Sequence, residues 1–194
     1  MAAHHKEARR LNATIAFLDE SGFMLQPLVR RSWAPRGQTP IIRCWDRRDR
    51  LSVIGAITVP PGRERHRLSA VFRIHARNIR TPQATEFLRL LDRHARGPLV
   101  VVLDLLNVHR AAVRRWLASR PRDAPRVAVE WLPPYAPDLN PAEQLWNHGK
   151  RTDLANLAPA DRDDLRGHVR RSLTRQRCSP NLLASALDHA GLPL

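Results

Sequence analysis

Three acidic residues stand at the ends of predicted structural elements, where their carboxylates could act together. Asp19 ends a short apolar run, Asp104 ends the most apolar run, and Glu143 opens a helix after a proline-rich loop. Functional groups gather at the carboxyl ends of strands in open α/β sheets, so Asp19 and Asp104 are neighbours if their strands pair. This acidic triad (Asp19, Asp104 and Glu143) suits Mg²⁺, which prefers hard oxygen ligands, and two such ions can drive phosphoryl transfer.

Each member of the acidic triad also has an ordinary structural explanation, which the local sequence leaves open. Asp19 can cap the turn predicted at Ser21-Gly22. Asp104 can end its strand and cap the helix that follows. For Glu143 the local pattern favours a capping box, because Asn140 is a good N-cap and Glu143 falls at the third helical position.

Two further acids are weaker candidates than the triad. Glu20 adjoins Asp19, but it points to the opposite face if the strand extends, and it therefore receives no catalytic role. Asp138 lies within the proline-rich loop, which makes it a weaker third acid than Glu143.

The elements around the triad follow an α/β pattern. Turn signals and hydrophobic periodicity predict strands at 13–19, 23–33, 51–59, 68–74, 99–104 and 127–132, and helices at 81–95, 109–119, 141–153, 161–176 and 180–190. An antiparallel meander, then α-β-α-β-α, then further helices indicates a mixed sheet.

The charge of the chain suggests a polyanionic partner, most often nucleic acid. Among 194 residues, 33 are Lys or Arg and 18 are Asp or Glu, which gives a formal net charge of +15. Only Lys6 and Lys150 are lysines, and such an arginine bias also follows from a GC-rich coding sequence. The excess lies in the first half, where Arg30, Arg31 and Arg36 belong to one cluster of arginines.

Membrane and secreted classes fit the sequence poorly. The longest apolar runs, at 51–60 and 98–103, are far shorter than the roughly 20 residues that a transmembrane helix needs. The N-terminus has no apolar stretch before a cleavage site. Cys44 and Cys178 lie far apart and make neither a disulfide framework nor a zinc site. These features favour the cytoplasm and predict no membrane association.

Four motifs resemble one known family. They are LDESG at 18–22, WAPRGQTP at 33–40, VLD at 102–104 followed by His109, and PPYAPDLNPAE at 133–143 followed by Trp146 and Lys150. Together they resemble the catalytic domain of the DDE transposases, in the bacterial insertion-sequence branch of the mariner-type superfamily. The spacing between Asp104 and Glu143 also resembles that family.

The resemblance implies a ribonuclease-H-like fold and a metal-dependent DNA endonuclease and strand transferase that moves an insertion sequence. Asp19, Asp104 and Glu143 match the catalytic and metal-binding acids of the family, which overrides the capping box as the sole role of Glu143. It implies two Mg²⁺ ions, with Mn²⁺ as a substitute, between these acids. Water would cut a phosphodiester at an element end, and the freed 3′ hydroxyl would attack target DNA.

The same reasoning gives the candidate contacts to DNA. Glu143, Asn147 and Lys150 share one face of the predicted helix, so Lys150 can reach a phosphate, while Trp146 leans into the core. The alternative for Lys150 is a solvated lysine. The other candidate DNA-binding residues are Arg30, Arg31, Arg36 and Asn147. His109 occupies the histidine position of the family and is an active-site accessory, or else a helix cap or packed histidine.

Two features depart from the family pattern. Leu105 stands where the family usually has Asn after the second acid, and Asp19 lies too near residue 1 for the usual N-terminal helix-turn-helix. We therefore predict a ribonuclease-H-like catalytic domain at 1–157 and a helical extension of the same domain at 158–194. The chain is then truncated, or one part of a split transposase whose helix-turn-helix is a separate polypeptide. The family implies a homodimer on element ends and target DNA.

Three alternatives to an active transposase domain stay open from the sequence. The first is a catalytically impaired DNA-binding remnant, in which Leu105 and the missing recognition region leave no useful catalysis. The second is another ribonuclease-H-like nuclease, such as a repair or RNA-cleaving enzyme, and the motif at 133–143 argues against it. The third is a purely structural basic protein, which the placement of the acids argues against.

Overall fold

A five-stranded mixed sheet forms the centre of the molecule, with strand order β3-β2-β1-β4-β5. The computed structural model describes residues 12–44, 49–62, 64–134 and 136–192. The strands are β1 (Thr14–Met24), β2 (Arg50–Val59), β3 (Ser69–His75), β4 (Leu99–Leu103) and β5 (Val127–Trp131). β1, β2 and β3 form an antiparallel meander, and β4 and β5 continue the sheet in parallel with β1. The predicted α/β class with a mixed sheet is confirmed.

In the described part of the chain, five α-helices cover the two faces of this sheet. They are α1 (Thr81–Ala95), α2 (Asn107–Ala118), α3 (Ala142–His148), α4 (Arg162–Arg177) and α5 (Pro180–His189). The helix predicted at 141–153 is divided, because α3 is followed by a π-helical turn (Gly149–Asp153). None of the described helices is long and apolar enough to cross a membrane.

The alternation of side chains along β1 divides the core into two clusters. Phe17 belongs to the cluster that α3, α4 and α5 cover, whereas Leu18 belongs to the cluster that α1 and α2 cover. Successive side chains of a strand point to opposite faces, so Asp19 continues the series of Phe17 and Glu20 continues that of Leu18. The prediction that Glu20 points away from Asp19 is thus confirmed.

β1 is longer than predicted. The turn predicted at 20–22 is wrong, because β1 runs on to Met24, and Ser21 pairs with Val53 of β2. The strand predicted at 23–33 is also wrong, since its first two residues belong to β1 and an isolated bridge joins Leu28 to Ala155. Pairing with β2 and the burial of Phe23 outweigh the local turn signals.

The two C-terminal helices pack on the same core as the sheet. Leu165 and Val169 of α4 and Leu183 of α5 are buried in the cluster that contains Phe17 and Trp146. Asp161 caps α4, because its Oδ1 accepts hydrogen bonds from the backbone N–H groups of Asp163 and Asp164. That residues 158–194 are a helical extension of the preceding domain stays a prediction, and the last two of these residues lie outside the described ranges.

Candidate active site

Asp19 is oriented by a buried tryptophan from the opposite layer. Trp146 of α3 is 2 % exposed, and its Nε1 donates a hydrogen bond of 2.7 Å to Oδ2 of Asp19. Gly55 is the partner of Asp19 on β2, and a Cβ added there would lie 2.7 Å from Cη2 of Trp146. The missing side chain at Gly55 therefore leaves the space in which the indole reaches Asp19.

Asp104 is brought level with Asp19 by the parallel pairing of β1 and β4. The last pair of this register joins Phe17 to Val102. Asp19 lies two residues further along β1, and Asp104 directly follows the end of β4. Glu143 approaches from the first turn of α3. The charges of Asp104 and Glu143 both raise the pKa of Asp19, as expected when the three carboxylates occupy one region.

A buried asparagine ties Glu143 to the strand that carries Asp19. Asn140 is 4 % exposed, and its Nδ2 donates to the carbonyl oxygen of Leu18 at 2.9 Å. Its Oδ1 accepts from the backbone N–H of Ala142 at 3.1 Å, and its carbonyl accepts from the N–H of Glu143 at 3.1 Å. One residue thus caps α3 and fixes the first turn of this helix to β1.

The capping box predicted for Glu143 forms only in part. Asn140 acts as the cap, but its own backbone N–H donates to the carbonyl of Pro137 at 2.8 Å. In a capping box that N–H would pair with the glutamate side chain. The competing bond to Pro137 leaves the Glu143 carboxylate to interact with Asp19 and Lys150 instead.

His109 joins Asp104 to an acid on the other face of β1. His109 Nδ1 is in hydrogen-bond contact with Oδ1 of Asp104, and its Nε2 lies 3.0 Å from Oε1 of Glu20. The ring is 2 % exposed, which excludes a surface histidine. Oδ1 of Asp104 also accepts from the backbone N–H of Leu106 at 3.2 Å, so the helix-capping contact considered for Asp104 is present as well.

Burial and repulsion disfavour the ionised forms of the two acids on the α3 side. Burial and the nearby charge of Glu143 raise the pKa of Asp19 to about 7, against the opposing hydrogen bond from Trp146. Burial likewise raises the pKa of Glu143, and the charge of Lys150 opposes that shift. A positive ion among these groups would remove an unfavourable interaction.

The pKa of Asp104 is shifted downward, in the opposite direction to that of Asp19. Burial alone would raise the pKa of Asp104, but the hydrogen bond and charge of His109 outweigh it and lower that pKa. Burial alone would lower the pKa of His109, but its hydrogen bonds to Asp104 and Glu20 raise it to about 9. The contacts to Asp104 and Glu20 therefore favour the protonated form of the His109 ring near neutral pH.

Lys150 lies beside the acids as part of the π-helical turn. Its Nζ donates to Oγ of Ser21 at 2.7 Å and lies 5.5 Å from the ring centre of Phe23. Burial lowers the pKa of Lys150, and the charges of Glu143 and Asp19 oppose that shift. The side chain is half-buried beside Ser21 and Phe23.

The donor chemistry of the acidic triad fits Mg²⁺ or Mn²⁺, although the described side chains form no complete cage. Carboxylate oxygens are the ligands that Mg²⁺ prefers. Within the described ranges, no three His, Cys, Asp or Glu side chains are gathered closely enough to hold a metal ion. Mg²⁺ commonly takes one or two carboxylates and completes its shell with water and substrate phosphates. The residues therefore fit an ion that binds together with a phosphate substrate.

The sequence matches one family over most of its length. Residues 14–166 match the family described as DDE superfamily endonuclease. This chain belongs to that family. The match confirms that the motifs at 18–22, 33–40, 102–104 and 133–143 indicate the DDE superfamily. No curated protein matches the chain in sequence.

Solved structures of the Mos1 mariner transposase share the fold of this DDE-family chain. The Mos1 mariner paired end complex with Mn aligns at a TM-score of 0.62 and 14 % identity, covering 91 % of this chain and 53 % of that chain. The Mos1 strand transfer complex aligns at a TM-score of 0.55 and 15 % identity, covering 97 % and 58 %. These matches confirm the ribonuclease-H-like fold. The chain spans little more than half the length of the Mos1 chains that it matches.

The remaining candidate DNA contacts of this DDE-family chain lie outside the acid cluster. Arg30 is exposed, its backbone N–H donates to Oδ1 of Asn156 at 2.7 Å, and its Nη1 donates to the carbonyl of Arg151 at 2.8 Å. These bonds attach the segment after β1 to the chain that follows α3. The other three candidates, Arg31, Arg36 and Asn147, are exposed to solvent.

The sequence does not predict the contacts by which three residues shape the site of this DDE-family chain. Trp146 was predicted to lean into the core, but no local signal indicates that its Nε1 reaches Asp19. Gly55 sits in a plain β-branched run, and its importance follows only from the pairing of β2 with β1. Glu20 could have been found by asking what covers its face of β1, because that face is packed by α2, the helix that carries His109.

Proposed function

We propose that this chain is the catalytic domain of a DDE transposase, a divalent-metal-dependent DNA endonuclease and strand transferase that moves a bacterial insertion sequence. The observation that carries the proposal is the separate anchoring of each triad acid at one end of the sheet. Trp146 holds Asp19, and Asn140 places Glu143 against the same strand. Membership of the DDE superfamily endonuclease family supports the nuclease chemistry.

The proposed substrates are DNA element ends and target DNA, with Mg²⁺ or Mn²⁺ as cofactor. The Mos1 structures that share this fold are described as paired end complexes with Mn or Mg and as a strand transfer complex. The net charge of +15 suits a DNA backbone. Asp19, Asp104 and Glu143 would hold two ions, which when bound would activate the attacking oxygen and stabilise the leaving oxygen.

The side chains of the protein orient these acids and the DNA strand. The Trp146 indole keeps one oxygen of Asp19 in place, and the Asn140 amide fixes the helix turn that presents Glu143. Lys150, held beside Ser21, offers an ammonium group to a phosphate oxygen. Arg30, Arg31, Arg36 and Asn147 would hold the backbone further from the scissile bond.

The proposed reaction has two phosphoryl transfers. In the first, water attacks a phosphodiester at an element end, and the P–O3′ bond breaks to leave a 3′ hydroxyl. In the second, that hydroxyl attacks a target phosphodiester, so one P–O bond forms while another breaks. Each step exchanges one P–O bond for another and requires no covalent bond between protein and DNA.

The assembly proposed around this domain has two copies of the chain and an end-recognising module. A homodimer would hold two element ends, and a helix-turn-helix module would recognise them. Residues 1–157 would form the catalytic domain, and 158–194 would be its helical extension. Such an enzyme would act on chromosomal DNA in the cytoplasm.

A plasmid-nicking assay tests the proposal directly. The purified chain is incubated with supercoiled plasmid and either Mg²⁺ or Mn²⁺, and we expect open-circular product that EDTA abolishes. Asp104→Asn should lose nicking and keep its affinity for plasmid DNA. Asp123→Asn removes one exposed acid between α2 and β5 and should nick like the wild type. Equal nicking by Asp104→Asn and wild type would overturn the proposal.

A catalytically impaired DNA-binding remnant is the second candidate function. Leu105 favours it, because this apolar, half-buried side chain directly follows Asp104. A remnant would bind plasmid DNA as tightly as Asp104→Asn does, and neither protein would nick it in any metal. The same assay therefore distinguishes the two candidates.

A further inference from the structure

Glu20 and Asp19 are adjacent in sequence, but their side chains lie on opposite faces of β1. Asp19 points toward α3 and accepts a hydrogen bond from Trp146. Glu20 points toward α2, where its Oε1 lies 3.0 Å from Nε2 of His109. The other ring nitrogen of His109 contacts Oδ1 of Asp104. The imidazole therefore connects an acid outside the acidic triad to an acid within it.

The surroundings of His109 leave its ring little freedom. It is 2 % exposed and stands in the first turn of α2, directly after the loop that carries Asp104. A carboxyl oxygen faces each ring nitrogen, so the two contacts together fix the plane of the ring. A buried polar group without a partner is costly, so Glu20 fixes the orientation in which Nδ1 meets Asp104.

The contacts of Asp104 show what this orientation achieves. The two hydrogen bonds that reach its carboxylate from the described residues, from Leu106 N–H and His109 Nδ1, both end on Oδ1. Oδ2 is thereby directed to accept a different ligand. Groups that hydrogen-bond to metal-binding carboxylates, as His109 does to Asp104, commonly change metal affinity by 10- to 100-fold when they are removed.

We propose that Glu20 is a positioning residue that holds His109 and, through it, sets the Asp104 carboxylate for binding a divalent ion. This inference rests on the proposed function, in which Asp104 is a metal ligand. Glu20 acts through the contact with Nε2 of His109 and not as a ligand itself. Its oxygen needs to reach that nitrogen, and its negative charge alone is not sufficient.

Substitutions of Glu20 separate the contact from the charge. Glu20→Asp keeps the charge but is one methylene too short for the 3.0 Å contact, whereas Glu20→Gln keeps an oxygen of the right reach and loses the charge. We expect Glu20→Ala and Glu20→Asp to weaken Mn²⁺ binding by about tenfold. Glu20→Gln should stay close to the wild type. Glu86→Ala, which removes an exposed acid of α1, serves as the matched control.

The measurements are the Mn²⁺ dissociation constant of the DNA-free chain, from electron paramagnetic resonance, and the Mn²⁺ concentration that gives half-maximal plasmid nicking. A double-mutant cycle with His109→Gln tests the route, because Glu20→Asp should have no further effect once the histidine is absent. If Glu20→Ala does not fold, the conservative Asp and Gln variants decide the question.

The outcomes distinguish this inference from the proposed function. If the wild type nicks DNA while Glu20→Asp and Glu20→Ala bind Mn²⁺ as tightly as it does, the inference alone is overturned. Equal weakening by Glu20→Gln and Glu20→Asp would also overturn it, because that result indicates a direct ligand or a charge effect. If the wild type binds Mn²⁺ but never nicks DNA, the proposed function fails while the Mn²⁺ series still tests the inference. A wild type that neither binds Mn²⁺ nor nicks DNA in its presence overturns both.

Discussion

Trp146 and Asp19 are joined by a hydrogen bond of 2.7 Å that crosses from α3 to the middle of β1. The indole reaches the carboxylate over the backbone of Gly55, where a side chain would leave no room for it. The bond opposes the burial and repulsion that raise the pKa of Asp19 to about 7. Trp146 therefore stabilises the ionised, metal-binding form of this acid.

Trp146→Phe should keep most of the packing and lose the donor. We expect plasmid nicking to fall by about tenfold, because such supporting contacts commonly contribute a factor of 10 to 100. Trp116→Phe is the matched control, since Trp116 is also fully buried and its Nε1 donates to Asp92 at 3.2 Å in the other core cluster. Nicking rates measured over a series of Mg²⁺ concentrations, from below half-saturation upward, check the prediction. Equal losses in the two variants would show that general destabilisation is the cause.

Gly55→Ala tests the space beneath the indole. The added Cβ would lie 2.7 Å from Cη2 of Trp146 and 3.3 Å from the carbonyl oxygen of Val71, so the indole must move. Overpacking of this kind costs about 1–3 kcal/mol, which urea unfolding measures, and nicking should fall with it. Gly22→Ala is the control, because nothing lies within 4 Å of a Cβ at that position. A Gly55→Ala variant as stable and active as the wild type would contradict the packing described for Trp146.

Asn140 should be as important to the placement of Glu143 as Trp146 is to that of Asp19. Asn140→Ala removes the donor to Leu18 and the cap on Ala142 together, and we expect a loss of about 2 kcal/mol in the free energy of unfolding. Asn140→Asp restores an acceptor for the cap but not the donor, and its carboxylate would face the Leu18 carbonyl. Its nicking rate should be no higher than that of Asn140→Ala, and a full rescue by Asp would show that the cap alone is needed.

The positions of the candidate acids in the fold follow from the sequence, but the contacts that support these acids do not. The strand ends and the proline-rich loop correctly predict where Asp104 and Glu143 stand, because strong apolar runs and prolines are local signals. The turn predicted at 20–22 fails because long-range pairing with β2 outweighs local propensity. The link from Glu20 to His109 depends on how α2 packs on the sheet, which no local pattern specifies.

Divalent metal should stabilise the folded chain, and the stabilisation should depend on Asp19. Burial and the charge of Glu143 disfavour the ionised Asp19 carboxylate, so an ion that binds it removes an unfavourable interaction. An ion that binds only the folded state adds about 1.4 kcal/mol at ten times its dissociation constant. We expect Mn²⁺ to raise the Tm of the wild type and of Asp123→Asn, measured by circular dichroism, but not that of Asp19→Asn. An equal rise in all three proteins would place the ion elsewhere on the surface.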